Sequence, residues 1–137
     1  MGSVEVSRLA RFYLFDGLSQ QEMGFVAANC TEKMVPAGSV LIQQGQVGKE
    51  IYFLEEGSVK VYRGKADSSK ALAVIQAPAV LGEMALSDPE RIQTSSASAL
   101  SDLKLLSIPM ETLLVLTGVY PSVKKKLREA IASGHGS

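Results

Sequence analysis

Residues 82 to 97 read Gly82-Glu83-Met84-Ala85-Leu86-Ser87-Asp88-Pro89-Glu90-Arg91-Ile92-Gln93-Thr94-Ser95-Ser96-Ala97, and they interrupt two runs of β-like alternation. Gly82 lets another group approach the backbone closely. Glu83 supplies a carboxylate, and Glu83-Met84-Ala85-Leu86 is long enough for one helical turn whose first N–H groups have no partner inside the turn. Such groups attract an anion. Asp88-Pro89 then stops the turn, because a residue before proline is pushed out of the helical region. In a sheet protein, an insertion of this kind fits a small phosphorylated molecule, with amides for the phosphate and a carboxylate for sugar hydroxyls.

On both sides of this insertion the chain reads as short strands. From Glu32 to Ile108, β-prone runs alternate with turn residues, the pattern of an antiparallel barrel or sandwich. Pro36-Ala37-Gly38 turns the chain, Val40-Leu41-Ile42 extends it, and Gly45-Gln46-Val47-Gly48 turns it again. Ile51-Tyr52-Phe53-Leu54, a turn at Glu55-Glu56-Gly57 and alternating Val59-Lys60-Val61-Tyr62 make the clearest hairpin. A polar loop is expected at Gly64–Lys70, followed by a strand at Ala71–Ile75. After the insertion, weak alternation from Ser95 to Leu100 leads to a last strand, Leu103–Ile108.

Helical spacing marks both ends of the chain. Val6, Leu9, Ala10, Tyr13 and Leu14 predict a first amphipathic helix, with Gly17 after it. Ser19 followed by Glu22 is a capping-box pattern opening a second helix through Met23, Val26 and Ala27 to about Asn29. Pro109 suits the start of a helix carrying Leu113, Leu114 and Leu116, which Thr117-Gly118 ends. Pro121 starts a final helix in the same way, with Val123, Leu127 and Ile131 on one face. Lys124, Lys125, Lys126 and Arg128 occupy the rest of its surface and read as a solvated face.

Four segments in order resemble the cyclic nucleotide-binding domain family, the type found in catabolite activator proteins and regulatory subunits of cAMP-dependent kinase. Leu14-Phe15-Asp16-Gly17-Leu18-Ser19 is similar to the family's entry motif, Val35–Ile42 to its first barrel strands, Tyr52–Tyr62 to its central hairpin, and Gly82–Leu86 to its phosphate-binding cassette. The resemblance implies a mainly β fold with flanking helices: an antiparallel β-roll of the double-stranded β-helix or jelly-roll kind, with N-terminal helices and two C-terminal helices. One domain over residues 1–137 is expected, with helices at about 4–29, the β-roll at about 32–108 and C-terminal helices at about 109–133.

The implied function is a regulatory or sensor module that binds cAMP or cGMP. Gly82, Glu83, Met84 and Ala85 would form the cassette, with Glu83 accepting a ribose hydroxyl or else capping nearby backbone amides. The family's cassette ends in an arginine that pairs with the cyclic phosphate. Counting back from the strand after the insertion, and forward from Glu83, puts Gln93 in that place and Thr94 in the small hydroxyl position after it. A second register puts Arg91 there. A glutamine amide gives hydrogen bonds without charge, so Gln93 also supports an alternative: a fold that no longer binds nucleotide and serves as a protein-interaction or dimerisation module. Pro78, where the family has a turn glycine, points the same way. In the family the last helix closes over the ligand or pairs with a second subunit, so Val123, Leu127 and Ile131 are candidate lid residues.

Composition narrows the classes further. Fourteen basic and fourteen acidic residues cancel, so net charge points to neither nucleic acid nor an anionic membrane. Cys30 is the only cysteine and reads as a small buried hydrophobe. His135 is the only histidine and lies in the Ser-Gly-His-Gly-Ser tail, so a metal site, a cupin-like histidine cluster or a histidine-based triad lacks raw material. The expectations are therefore no catalytic residues, no metal and no cofactor beyond the nucleotide ligand. No run approaches a membrane span or a secretory signal, and no helix-turn-helix segment follows the last helix. A cytoplasmic protein is expected, with the nucleotide, a homodimer mate or a regulated protein as partners, and with neither DNA nor membrane.

Overall fold

A computed structural model of the chain describes residues 4–64 and 71–133. Its strands are β1 (Thr31–Val35), β2 (Val40–Ile42), β3 (Glu50–Glu56), β4 (Ser58–Tyr62), β5 (Ala71–Gln76), β6 (Ala79–Leu81), β7 (Ser96–Ala99) and β8 (Leu103–Pro109). They form two antiparallel sheets, ordered β1-β8-β3-β6 and β2-β7-β4-β5, the β-roll expected from the sequence. The helices are α1 (Val6–Leu9), α2 (Gln20–Ala28), α3 (Met110–Val119) and α4 (Pro121–Ser133), with 3-10 turns at Tyr13–Phe15 and Glu83–Ser87.

The period-two geometry of strands explains how one sheet serves two cores. Ile51 and Phe53 of β3, Leu106 and Ile108 of β8 and Val80 of β6 face the helices and join Phe12, Phe15, Leu113 and Val123. Their neighbours Leu54, Leu103, Leu105 and Leu81 face the other way, toward Ile42, Val59, Val61 and Ala97 of the second sheet. Register matches this sorting, since Phe53 stands opposite both Val80 and Leu106. The wall carrying β6 thus packs against a core on each face, and the insertion leaves directly from its end.

The hairpin falls where alternation put it, with β3 and β4 joined through Gly57. Ser19 accepts from the Glu22 N–H at 3.1 Å and its own N–H donates to Glu22 at 2.9 Å, so the capping box forms. The polar loop expected at Gly64–Lys70 lies outside the described residues from 65 onward.

The first helix departs from its periodicity. It stops after Leu9, and the chain passes through an extended Phe12 into the Tyr13–Phe15 turn. The reason is ring burial. Phe12 and Phe15 sit against Phe53 with centroids 5.4 and 5.2 Å away, while Ala10 and Tyr13 of the predicted stripe are exposed. Burying an aromatic ring stabilises by about 1.5–3 kcal/mol, more than the at most about 0.7 kcal/mol per residue of helix preference. Arg8 fixes the path, its Nε donating to the buried Glu55 at 2.9 Å. At the other end α3 runs one residue past the expected Gly118 stop, to Val119.

Candidate functional site

Gly82 ends β6 with φ near +90°, a left-handed conformation that side chains resist. A Cβ there would also lie 3.2 Å from the Glu50 carbonyl. The turn that follows, Glu83–Ser87, is 3-10 in geometry and closes where the Asp88 N–H donates to the Ala85 carbonyl at 3.1 Å. The Asp88-Pro89 stop is where the sequence placed it. Ala85 is buried under the helices, Met84 is half-buried, and Glu83 is 1 % exposed.

Glu83 lines a cavity of about 600 Å³ together with Arg11, Phe12, Tyr13, Val74 and Val80. Burial, with Glu83 and Glu129 nearby, pushes the Tyr13 phenol above its ordinary range. Residues 11–13 therefore roof the cavity from the N-terminal segment. Nothing local in the sequence signals this, because it depends on the break after Leu9.

The second half of the insertion is held by polar side chains. Asp88 Oδ2 accepts from the Glu90 N–H at 2.8 Å and from the Ile92 N–H at 3.0 Å. Arg91 has φ near +61°, and its Nη1 donates to the Leu86 and Asp88 carbonyls at 3.2 and 2.8 Å. Its guanidinium thus caps the 3-10 turn. Gln93 is buried, its backbone exchanging hydrogen bonds with Gly45 and Gln46. Its side-chain amide lies over Gly48, where a Cβ would come within 2.6 Å of Nε2 and 2.5 Å of Met110 Cε. A Cβ on Gly82 would be 3.8 Å from the same Nε2.

The expected site residues are therefore only partly brought together. Gly82 and Gln93 are near neighbours, but Gln93 lines a second cavity, of about 260 Å³, with Gln46, Gly48, Lys49, Glu50 and Tyr52. Glu83 lines the larger one. Thr94 is exposed, and its carbonyl accepts from Arg63 Nε at 3.2 Å. Of the lid candidates, Val123 and Leu127 are buried and Ile131 half-buried, all packed on the cluster that holds Ala85 and Leu86. Ala130 is buried with them, and its spacing of three from Leu127 was the available signal. The helix α4 lies against both the Tyr13–Phe15 turn and the Glu83–Ser87 turn.

Burial pushes the Cys30 thiol up to about 12, which keeps it protonated and unreactive. Among the described residues, no group of three or more His, Cys, Asp or Glu side chains is placed to hold a metal ion, and no helix is long and apolar enough to cross a membrane.

A family model described as "Cyclic nucleotide-binding domain" matches residues 32–118. The cyclic AMP receptor protein of Thermus thermophilus is 29% identical over 120 residues, covering 87% of this chain and 55% of the relative. The chain spans about half the length of the curated relatives it first matches. Among solved structures, the N-terminal domain of a transcriptional regulator from Streptomyces coelicolor A3(2) superposes with a TM-score of 0.70 at 31% identity, covering 92% of this chain and 88% of that one. The regulatory domain of Toxoplasma gondii PKA, crystallised with cAMP, superposes with a TM-score of 0.80 at 25% identity, covering 93% of this chain and 48% of that one.

Proposed function

This chain belongs to the cyclic nucleotide-binding domain family, and on that premise we propose that it is a regulatory module that binds cAMP or cGMP as one domain. The observation that carries the reading is the buried Glu83 in the lining of a ligand-sized cavity, directly after a left-handed Gly82. A carboxylate there accepts from the one free ribose hydroxyl that the cyclic phosphate leaves, and the first amides of the 3-10 turn face the phosphate. Met84 supplies one of those amides, and the Ala85 N–H, which donates to the Gly82 carbonyl at 3.4 Å, would have to turn from it to supply another. The proposed activity is binding, with no bond made or broken.

Regulation follows from packing. Because α4 rests on the 3-10 turn, a ligand that favours one position of the turn favours one seating of Val123, Leu127 and Ile131. The readers of that seating are a regulated protein or a second copy of the chain. The proposed setting is the cytoplasm, where an unpaired thiol such as Cys30 stays reduced.

Titration calorimetry of nucleotide-stripped protein with cAMP and cGMP tests the reading. Glu83→Ala should weaken binding by about tenfold or more, the worth of a hydrogen bond to a charged group. Thr94→Ala, at an exposed position, should change it far less. No heat from either nucleotide would overturn the proposal.

One observation favours a second reading, the fold kept as an interaction or dimerisation module. Gln93 offers a neutral amide in the arginine's place, and the Arg91 guanidinium is engaged by two carbonyls. Under this reading the chain gives no nucleotide heat, yet light scattering shows a dimer or a stable complex with the regulated protein.

A further inference from the structure

Arg63 follows β4 directly, and the strand register says which way it faces. Val61 stands opposite Ala97 and Tyr62 opposite Ser96, so continuing the pairing by one residue sets Arg63 opposite Ser95. Side chains alternate along a strand, and Val59, Val61 and Ala97 face the core between the sheets. Arg63 and Ser95 therefore extend that inward face, at the end of the roll where the insertion returns to β7. Ser95 is buried there whereas Arg63 is exposed, so the roll is open to solvent at this end.

One contact ties this side chain to the place where the family carries its arginine. Arg63 Nε donates to the Thr94 carbonyl at 3.2 Å, one residue after Gln93. The Gln93 amide itself lies over Gly48 with Met110, on the side of α3. Arg91 is engaged by the Leu86 and Asp88 carbonyls, and Lys60, of opposite alternation to Val61, stands over the Tyr62 ring. Among the described residues the Thr94 bond is the only one that Arg63 makes, and it uses one of the five N–H groups of a guanidinium. The two Nη groups remain. A pair of parallel donors carrying a positive charge is what a phosphate takes from an arginine. We propose, resting on the cyclic-nucleotide reading above, that Arg63 supplies the charge that Gln93 lacks. It meets the cyclic phosphate from the end of β4, with the Thr94 carbonyl holding its Nε in place. The cassette then contributes shape and amides, and the second sheet contributes the charge.

Calorimetry of nucleotide-stripped protein with cAMP and cGMP tests this. Arg63→Gln drops the charge but keeps a donor for the Thr94 carbonyl, since a glutamine Nε2 stands at the same place along the side chain as an arginine Nε. It should bind about 10- to 100-fold more weakly than the parent, the worth of a hydrogen bond to a charged group. Arg63→Lys keeps the charge and should lose less. Both variants should melt with the parent when nucleotide is absent, because the position is exposed. The parent's affinity should fall with added salt, and that dependence should flatten in Arg63→Gln, which a merely structural role would not move. Adding Gln93→Arg to Arg63→Gln should restore binding, because the charge returns from the cassette. Affinity in Arg63→Gln equal to the parent's, or equal losses in the glutamine and lysine variants with the salt dependence unmoved, would overturn this inference and leave the nucleotide reading standing. No heat from either nucleotide in the parent would overturn both.

Discussion

Residues 82–87 and residues 88–94 are adjacent parts of one connection, and they are held by different rules. In the first part the backbone and the core decide: Gly82 is left-handed beside the Glu50 carbonyl, and Glu83 and Ala85 are buried. In the second part exposed or half-buried side chains hold the chain by hydrogen bonds, from Asp88 to two amides and from Arg91 to two carbonyls. Packing restricts residue type tightly at the first group, while several residue types satisfy the second. The difference explains how a chain could keep the family's cassette shape while Gln93, in the register expected from the sequence, takes the arginine's place. The part that shapes the pocket and the part that supplies charge are separable.

The strongest attempt to break this contrast is Gly82→Val. A β-branched residue at this φ costs about 1–2 kcal/mol in backbone strain, and its Cβ presses on a carbonyl that belongs to β3. Added crowding in a packed site costs about 1–3 kcal/mol more. A loss of about 3 kcal/mol is expected in urea unfolding, and a variant as stable as the parent would show that the first part is no more constrained than the second. Next in size is Gln93→Arg. A guanidinium at a position 7 % exposed, beside Met110, finds only Glu50, already paired with Lys33, on the walls of its cavity, and should destabilise by about 1–3 kcal/mol. Cyclic nucleotide or millimolar sulfate should recover that loss in thermal melts. Recovery would sharpen the contrast by showing that the site still accepts the charge it lacks.

The same contrast governs what was legible beforehand. The β3–β4 hairpin, the capping box at Ser19 and the buried stripe of α4 were readable because each is set by neighbours within a few residues. So was the turn from Gly82 to Asp88, whose signals are a glycine, a short apolar turn and a proline. The break after Leu9 was not, because it depends on Phe53, some forty residues away, offering its ring to Phe12 and Phe15. That Arg11 and Tyr13 line the larger cavity was therefore not legible either. Gln93 was found by counting, but its seat was not: that depends on Gly48 leaving room and on Met110 arriving from α3. Local physics wrote the cassette's shape into the sequence, whereas the lining of its cavities is a tertiary property.

The smallest expected effect is the most discriminating about the second part. Arg91→Gly removes a side chain held at φ +61°, relieving about 1–2 kcal/mol, and also removes two hydrogen bonds to carbonyls worth about 0.5–1.5 kcal/mol each. The terms nearly cancel, so the melting temperature should move by only a few degrees in either direction. Arg91→Val loses the bonds and keeps the strain, so it should fall below the glycine variant. Affinity for nucleotide should be the same in Arg91→Gly as in the parent, because the guanidinium serves the backbone of its own turn. A glycine variant that folds normally but no longer binds would mean that Arg91 leaves those carbonyls for the phosphate. Charge would then reside in the second part after all, and the tolerance argued for it would hold for shape alone.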